Sequence, residues 1–106
     1  MIVTTMNDIP GYTVDEVFGE LFGLIVRSRN IGSQFGAGLK SIVGEELKGQ
    51  TKLLVDSRQQ VIDRMVEEAE AKGGNAVIAM RFDASEIGNG WAEICAYGTA
   101  VRVSKT

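Results

Sequence analysis

Histidine is absent from this 106-residue chain, cysteine and proline occur once each, and no two lysines or arginines stand side by side. Each gap excludes something. Without histidine, the usual base for activating a Ser, Thr or Cys nucleophile is missing. With Cys95 as the only thiol and no C-x-x-C, one chain cannot supply a mononuclear soft-metal site. A single cysteine also rules out an intramolecular disulfide. A net charge of −3 argues against broad affinity for nucleic-acid phosphates, and no basic run concentrates enough positive charge to reverse that. No apolar stretch approaches the ~20 residues that a membrane helix needs. The start, Met1-Ile-Val-Thr-Thr-Met-Asn-Asp8, has neither the basic opening nor the apolar length of a secretion signal, so the cytoplasm is the expected compartment.

What the chain does have is glycine, thirteen of them, and a helix–turn–hairpin junction in its last third. The run Glu67-Glu-Ala-Glu-Ala-Lys-Gly-Gly-Asn-Ala-Val77 ends a charged, Ala-rich helix at Gly73-Gly74 and starts a strand. Two strand segments follow, Ala76–Ile87 and Trp91–Val103, hinged on Gly88-Asn89-Gly90. If Asn89-Gly90 alone makes the turn, Phe82 faces Tyr97. If all three residues form the loop, Phe82 faces Ala96, Met80 faces Gly98 and Ile78 faces Ala100.

Upstream, Ile2–Thr5 reads as a short strand, and Asn7-Asp8-Ile9-Pro10-Gly11 as a turn. Tyr12–Arg29 reads as one long strand with a bend or bulge near Gly19 and Gly23. Sorted by alternation, both of its faces are apolar: Val14, Phe18, Phe22, Leu24 and Val26 on one, Val17, Leu21 and Ile25 on the other. A two-layer domain of this size covers only one face of its sheet. The other calls for a second copy of the chain, unless a bulge switches the faces midway. A Gly-rich helix is expected from Ile31 to Leu47, with Asn30 or Ser33 as its cap. A second is expected from Thr51 to Lys72, with Leu54, Val61, Ile62, Met65 and Ala69 as its apolar stripe. The pairs Lys52–Asp56 and Arg64–Glu68 are spaced for contact along its outer side.

Candidate chemistry is thin. Gly36-Ala-Gly-Leu-Lys-Ser41 places Leu39 where a phosphate loop needs glycine before its lysine. Gly44-Glu-Glu-Leu-Lys-Gly-Gln-Thr51 has Gln50 in the lysine position and two glutamates inside the loop. Carboxylates offer more. Glu16 and Glu20 lie four apart in the long strand, beside apolar residues assigned to burial, and Glu93 and Arg81 lie on the hairpin strands that would flank it. Such charges are costly to desolvate unless paired, hydrated or ligand-bound. Glu16, Glu20, Arg81 and Glu93 are therefore the candidate ligand-binding residues, and an intersubunit salt bridge is the competing reading. No residue is assigned a catalytic or metal role, and no cofactor is indicated.

The segments Met1–Thr5, Phe22–Asn30, Ile31–Gly44, Gly73–Val77 and Ala96–Val101, taken in order, resemble the YbjQ family over essentially the whole chain. The resemblance implies a single domain over 1–106 and a dodecin-like α+β subunit, an antiparallel sheet packed against two helices, that assembles into a ring, expected to be a homopentamer. The family carries a heavy-metal-binding label and no established reaction. The reading of function is thus an oligomer of unknown activity that binds a small ligand or metal ion between subunits. An enzyme using interfacial carboxylates and a purely structural assembly are the alternatives.

Overall fold

A computed structural model describes residues 1–28, 48–86 and 90–106. The chain opens with β1 (Ile2–Val3) and β2 (Tyr12–Ser28), continues through the helix α1 (Lys48–Ala71), and closes with β3 (Ala76–Glu86) and β4 (Trp91–Lys105). The expected Gly-rich helix from Ile31 to Leu47 lies outside the described residues. The strands form one sheet in the order β1-β3-β4-β2, with α1 across one side. This is an α+β architecture. It departs from the all-antiparallel expectation, because β1 runs parallel to β3 through Ile2↔Ala76 and Val3↔Val77. The reason is topological: β1 and β3 are not joined by a hairpin, so nothing forces them to reverse direction.

The junctions follow their residue chemistry. Between β1 and β2, Tyr12 N–H donates to the Ile9 carbonyl across Pro10-Gly11, with Gly11 at φ +84°. Pro then Gly with positive φ is the preferred pair for such a turn. At the end of α1, Gly73 sits at φ +90° and its N–H donates to the Glu70 carbonyl, while Gly74 N–H reaches back to Ala69. These two bonds satisfy carbonyls that a helix end leaves orphaned. Asn75 then ties the turn to β4, its side-chain amide donating to the Val103 carbonyl and its oxygen accepting from Val103 N–H.

β2 is one strand, as its sequence indicates, but two bulges break its register against β4. They fall between Val14 and Glu16 and between Val17 and Gly19, where Gly19 has φ +101°. The bulge expected near Gly19 is therefore present and switches the faces of the strand midway, while Phe22, Leu24 and Val26 beyond it remain exposed. Glu16 stands opposite Arg102 and Glu20 opposite Thr99. Since β4 alternates evenly there, residues 99 and 102 point to opposite faces, and so do Glu16 and Glu20. Phe18 likewise leaves the face of Phe22 and packs against the core. Beyond Gly19, Leu21, Gly23 and Ile25 face α1, and Glu20, Phe22, Leu24 and Val26 face away.

The hairpin takes the register of the longer loop over most of its length, with Phe82↔Ala96 and Glu86↔Ala92. A bulge between Ile78 and Arg81 then shifts it, so Ile78 meets Thr99 instead of Ala100. Ala79 carries that bulge at φ +55° and donates its N–H to the Met6 carbonyl.

The core lies between α1 and the sheet. Ser57, Val61, Met65 and Ala69 are fully buried, four residues apart down one side of the helix. They meet Leu21, Ile25, Val77, Met80, Ile94, Ala96 and Ala100. Leu54, assigned above to this stripe, is exposed, and its place nearest the sheet is taken by Ser57. A hydroxyl is tolerated there because Arg27 Nε donates to Ser57 Oγ at 3.1 Å. Arg64 likewise does not turn to Glu68 but donates to the Leu24 carbonyl. A smaller cluster on the far face gathers Ala76, Val101 and Val103 under Ile2, Ile9 and Tyr12. The N-terminal segment thus covers one end of the outer face and leaves the other open.

Two predictions follow from the backbone. A Cβ on Gly23 would fall 1.8 Å from the Val61 carbonyl oxygen, so Gly23→Ala forces helix and strand apart. It should cost about 3 kcal/mol or more in urea unfolding; a variant with an unchanged midpoint would contradict the observed contact. Ala79→Gly relieves a left-handed alanine and should be neutral or stabilising by up to about 1 kcal/mol in the same assay.

Candidate functional site

The open end of the outer face is where chemistry collects. On β2 it presents Glu20, Phe22 and Leu24, and on β4 Glu93, Cys95 and Tyr97. Register places Leu24 beside Cys95, Phe22 beside Tyr97, and Asp83 of β3 on the other side of Cys95. Alternation along three strands is enough to bring all seven to one face. They line a recess of about 410 Å³, open to solvent. The Phe22 and Tyr97 rings lie 6.4 Å apart between centroids and are tilted by 43°, a spacing typical of interacting aromatic pairs.

Three carboxylates share this recess with one thiol, Asp83 and Glu93 beside it and Glu20 farther along β2. Cys95 is largely buried, and its Sγ lies 3.5 Å from the Ala96 carbonyl. Burial pushes the thiol above its ordinary pKa, and the nearby Glu93 and Asp83 charges push it further the same way. A thiol in such surroundings is held protonated and is a poor nucleophile at neutral pH. The Asp83 side chain is partly occupied, accepting from Ala84 N–H at 2.9 Å.

Of the four residues selected from sequence, the structure brings Glu20 and Glu93 together in the recess. Arg81 stands on the same face, opposite Tyr97, but its guanidinium donates to the Thr5 and Met80 carbonyls and so anchors the N-terminal segment. Glu16 is not with them. The bulge between Val17 and Gly19 turns it to the opposite face, across from Arg102. Asp83, Cys95 and Tyr97 are the residues that sequence reasoning passed over as site members. Their signal was the hairpin register, because once Phe82 faces Ala96, Asp83 must neighbour Cys95.

Within one chain, the donor set among the described residues does not make a metal centre. Among the described residues, no three Cys, Asp or Glu side chains converge closely enough to hold an ion. The sequence contains no histidine anywhere to add. Among the described residues, no helix is long and apolar enough to cross a membrane.

Comparison with known proteins gives the chain its relatives. Residues 1–104 match the YbjQ family profile, whose description reads "Putative heavy-metal-binding". A UPF0145 protein of Acidothermus cellulolyticus is 65% identical over 105 residues, spanning 99% of this chain and 97% of that one. One from Streptomyces coelicolor is 58% identical, with 99% of each chain covered. A crystal structure from Pediococcus pentosaceus, a protein of unknown function assigned to the DUF74 family, superposes with a TM-score of 0.60 over 98% of both chains. At 15% identity, it supports the fold alone. The whole-length match and the close relatives together settle the kinship: the chain belongs to the YbjQ family, whose relatives here carry the UPF0145 name.

Proposed function

We propose that this chain is the subunit of a homo-oligomeric binding protein, in which neighbouring copies cover the open end of the outer sheet face and turn the Cys95 recess into an interfacial pocket. The observation that carries the reading is exposure. Phe22, Leu24 and Val26 are 54%, 44% and 49% exposed in the single chain, beside exposed Tyr97 and Trp91. Contiguous apolar surface of this kind is rare on a protein that stays monomeric. The face switch does not remove it, because the residues after Gly19 still leave an apolar row outside. A dodecin-like ring of five copies is the assembly implied by the resemblance to the YbjQ family, and a cytoplasmic setting suits the single free thiol.

The pocket's chemistry favours a small ligand with an apolar body and a cationic end. Phe22, Leu24 and Tyr97 supply the apolar wall, and Glu20, Asp83 and Glu93 the charge. Among the described residues, none of these three carboxylates is matched by a basic side chain. If neighbouring copies bury this face, the charges require either a cationic ligand or basic groups from the neighbours. A soft metal fits less well, since it needs Cys95 thiolates from several copies at once. The elevated thiol pKa opposes that ionisation.

Light scattering coupled to size exclusion at micromolar concentration should give the mass of a defined oligomer, and Phe22→Glu should shift it toward monomer. A monomeric wild type would sink the reading. The thiol provides a separate check. Alkylation of native protein should rise with pH along a curve displaced above that of the denatured thiol, and Asp83→Asn with Glu93→Gln should move it back down. Because the folded pKa is the higher one, the stability linked to this thiol is complete below the unfolded pKa and is lost as pH rises through the folded value. In zinc titrations, any affinity should vanish in Cys95→Ser; tight binding that survives would show that carboxylates hold the ion.

A further inference from the structure

β2 lies at the edge of the sheet and is seventeen residues long. Its central stretch, Leu21-Phe-Gly-Leu-Ile-Val26, carries no charge and no proline. An uncharged six-residue segment of this type is the kind that stacks on copies of itself, and an edge strand offers it a row of unpaired backbone groups. Such an edge requires protection.

The helix supplies it. Arg64 donates to the Leu24 carbonyl, and the Lys72 ammonium approaches the Glu20 carbonyl at 3.4 Å. Both acceptors belong to even residues, whose backbone groups point out of the sheet while their odd neighbours turn toward β4. Arg27 completes the series through Ser57. The spacing is a match of two rises. From Ser57 to Arg64, seven helical residues span about 10.5 Å, and three strand residues from Arg27 to Leu24 span about 10 Å. From Arg64 to Lys72, eight residues span about 12 Å against about 13 Å for the four from Leu24 to Glu20. The helix therefore runs antiparallel beside β2 and delivers a side chain to it at each step. Among the described residues, the edge between Arg64 and Lys72 remains open at Phe22, over a recess of about 450 Å³ bordered by Glu67, Glu68 and Ala71.

We propose that Arg64 and Lys72 are edge guards, which occupy the outward carbonyls of β2 and so prevent it from pairing with the β2 edge of a second copy. The outward row of Glu20, Phe22, Leu24 and Val26 is self-complementary. Two such edges related by a two-fold axis exchange backbone bonds and continue the sheet from one molecule into the next. The guards fill acceptor sites that this pairing uses, and their bulk lies where the incoming strand would run. This device concerns the strand's edge and not its outer face, so it stands apart from the assembly proposed above.

The test removes both guards. Arg64→Ala with Lys72→Ala, held well below its melting temperature, should gain mass by light scattering at concentrations where wild type keeps a constant mass, since two-fold pairing of β2 edges joins copies in pairs. Because the double variant also loses stability, Val61→Ala, with its guards intact, serves as the comparison; it should melt earlier yet keep the wild-type mass. Adding Phe22→Pro to the double variant should abolish the gain, since it removes an outward N–H without breaking the β4 ladder. A mass gain absent from the double variant, equal in Val61→Ala, or indifferent to Phe22→Pro would each overturn the proposal. A monomeric wild type leaves it untouched, so its failure and that of the ring reading are told apart.

Discussion

The structure depends on one close approach, the seating of α1 on β2 at Gly23. The helix backbone comes so near that a methyl group would collide with the Val61 carbonyl. Everything else on that side is arranged around the contact. Val61 and Met65 are fully buried on either side of it, while Arg27, Arg64 and Lys72 join the helix to the strand along its length. Helix packing normally keeps about 10 Å between layers. Here a glycine shortens that distance, and small residues opposite, Ala96 and Ala100, continue the thin part of the sheet. The glycine content that looked excessive in composition is, at this position, a requirement of the packing.

A helix held so firmly to one face leaves the second face to be dealt with by other means. Part of it is covered from within: the N-terminal segment crosses it, fixed by β1 pairing, by Arg81 on the Thr5 carbonyl, and by Ile2, Ile9 and Tyr12 over Val101 and Val103. The covering stops at the bulge of Ala79. Beyond it, Phe22, Leu24 and Tyr97 stand in the open with three carboxylates among them. The division between a covered end and an open end is thus set by the length of the segment before β2.

Local chemistry was legible in the sequence, and its consequences for register were not. Gly73-Gly74 ended the helix as its residues dictate, and Pro10-Gly11 made its turn, because each depends only on backbone preferences of adjacent residues. A bulge near Gly19 was legible from that glycine, but the second bulge between Val14 and Glu16 and the one at Ala79 depend on how two strands twist against one another, which no single segment records. That is why Glu16 and Glu20 were placed together on alternation alone and then proved to lie on opposite faces. Ser57 was missed for a related reason. A serine in an apolar row looks like an interruption until Arg27, thirty positions away, arrives to bond it.

The same dependence on register bears on how the family's label relates to this chain. A metal centre needs donors whose geometry is fixed by the fold, and here alternation across three strands spreads Glu20, Asp83 and Glu93 around Cys95 without drawing any three ligands together. Adjacent strands stand about 4.8 Å apart. Asp83, directly opposite Cys95, and Glu93, two residues away on the same strand, therefore stand nearer the thiol than Glu20, which lies opposite Thr99. Burial first, and the Glu93 and Asp83 charges after it, raise the thiol above its ordinary pKa, which works against thiolate ligation and against nucleophilic chemistry alike. What the arrangement retains is a negative, partly apolar surface. Were neighbouring copies to bury the face, as proposed, that charge would have to be met from beyond the described residues, and recognition and assembly would become a single electrostatic problem at this recess.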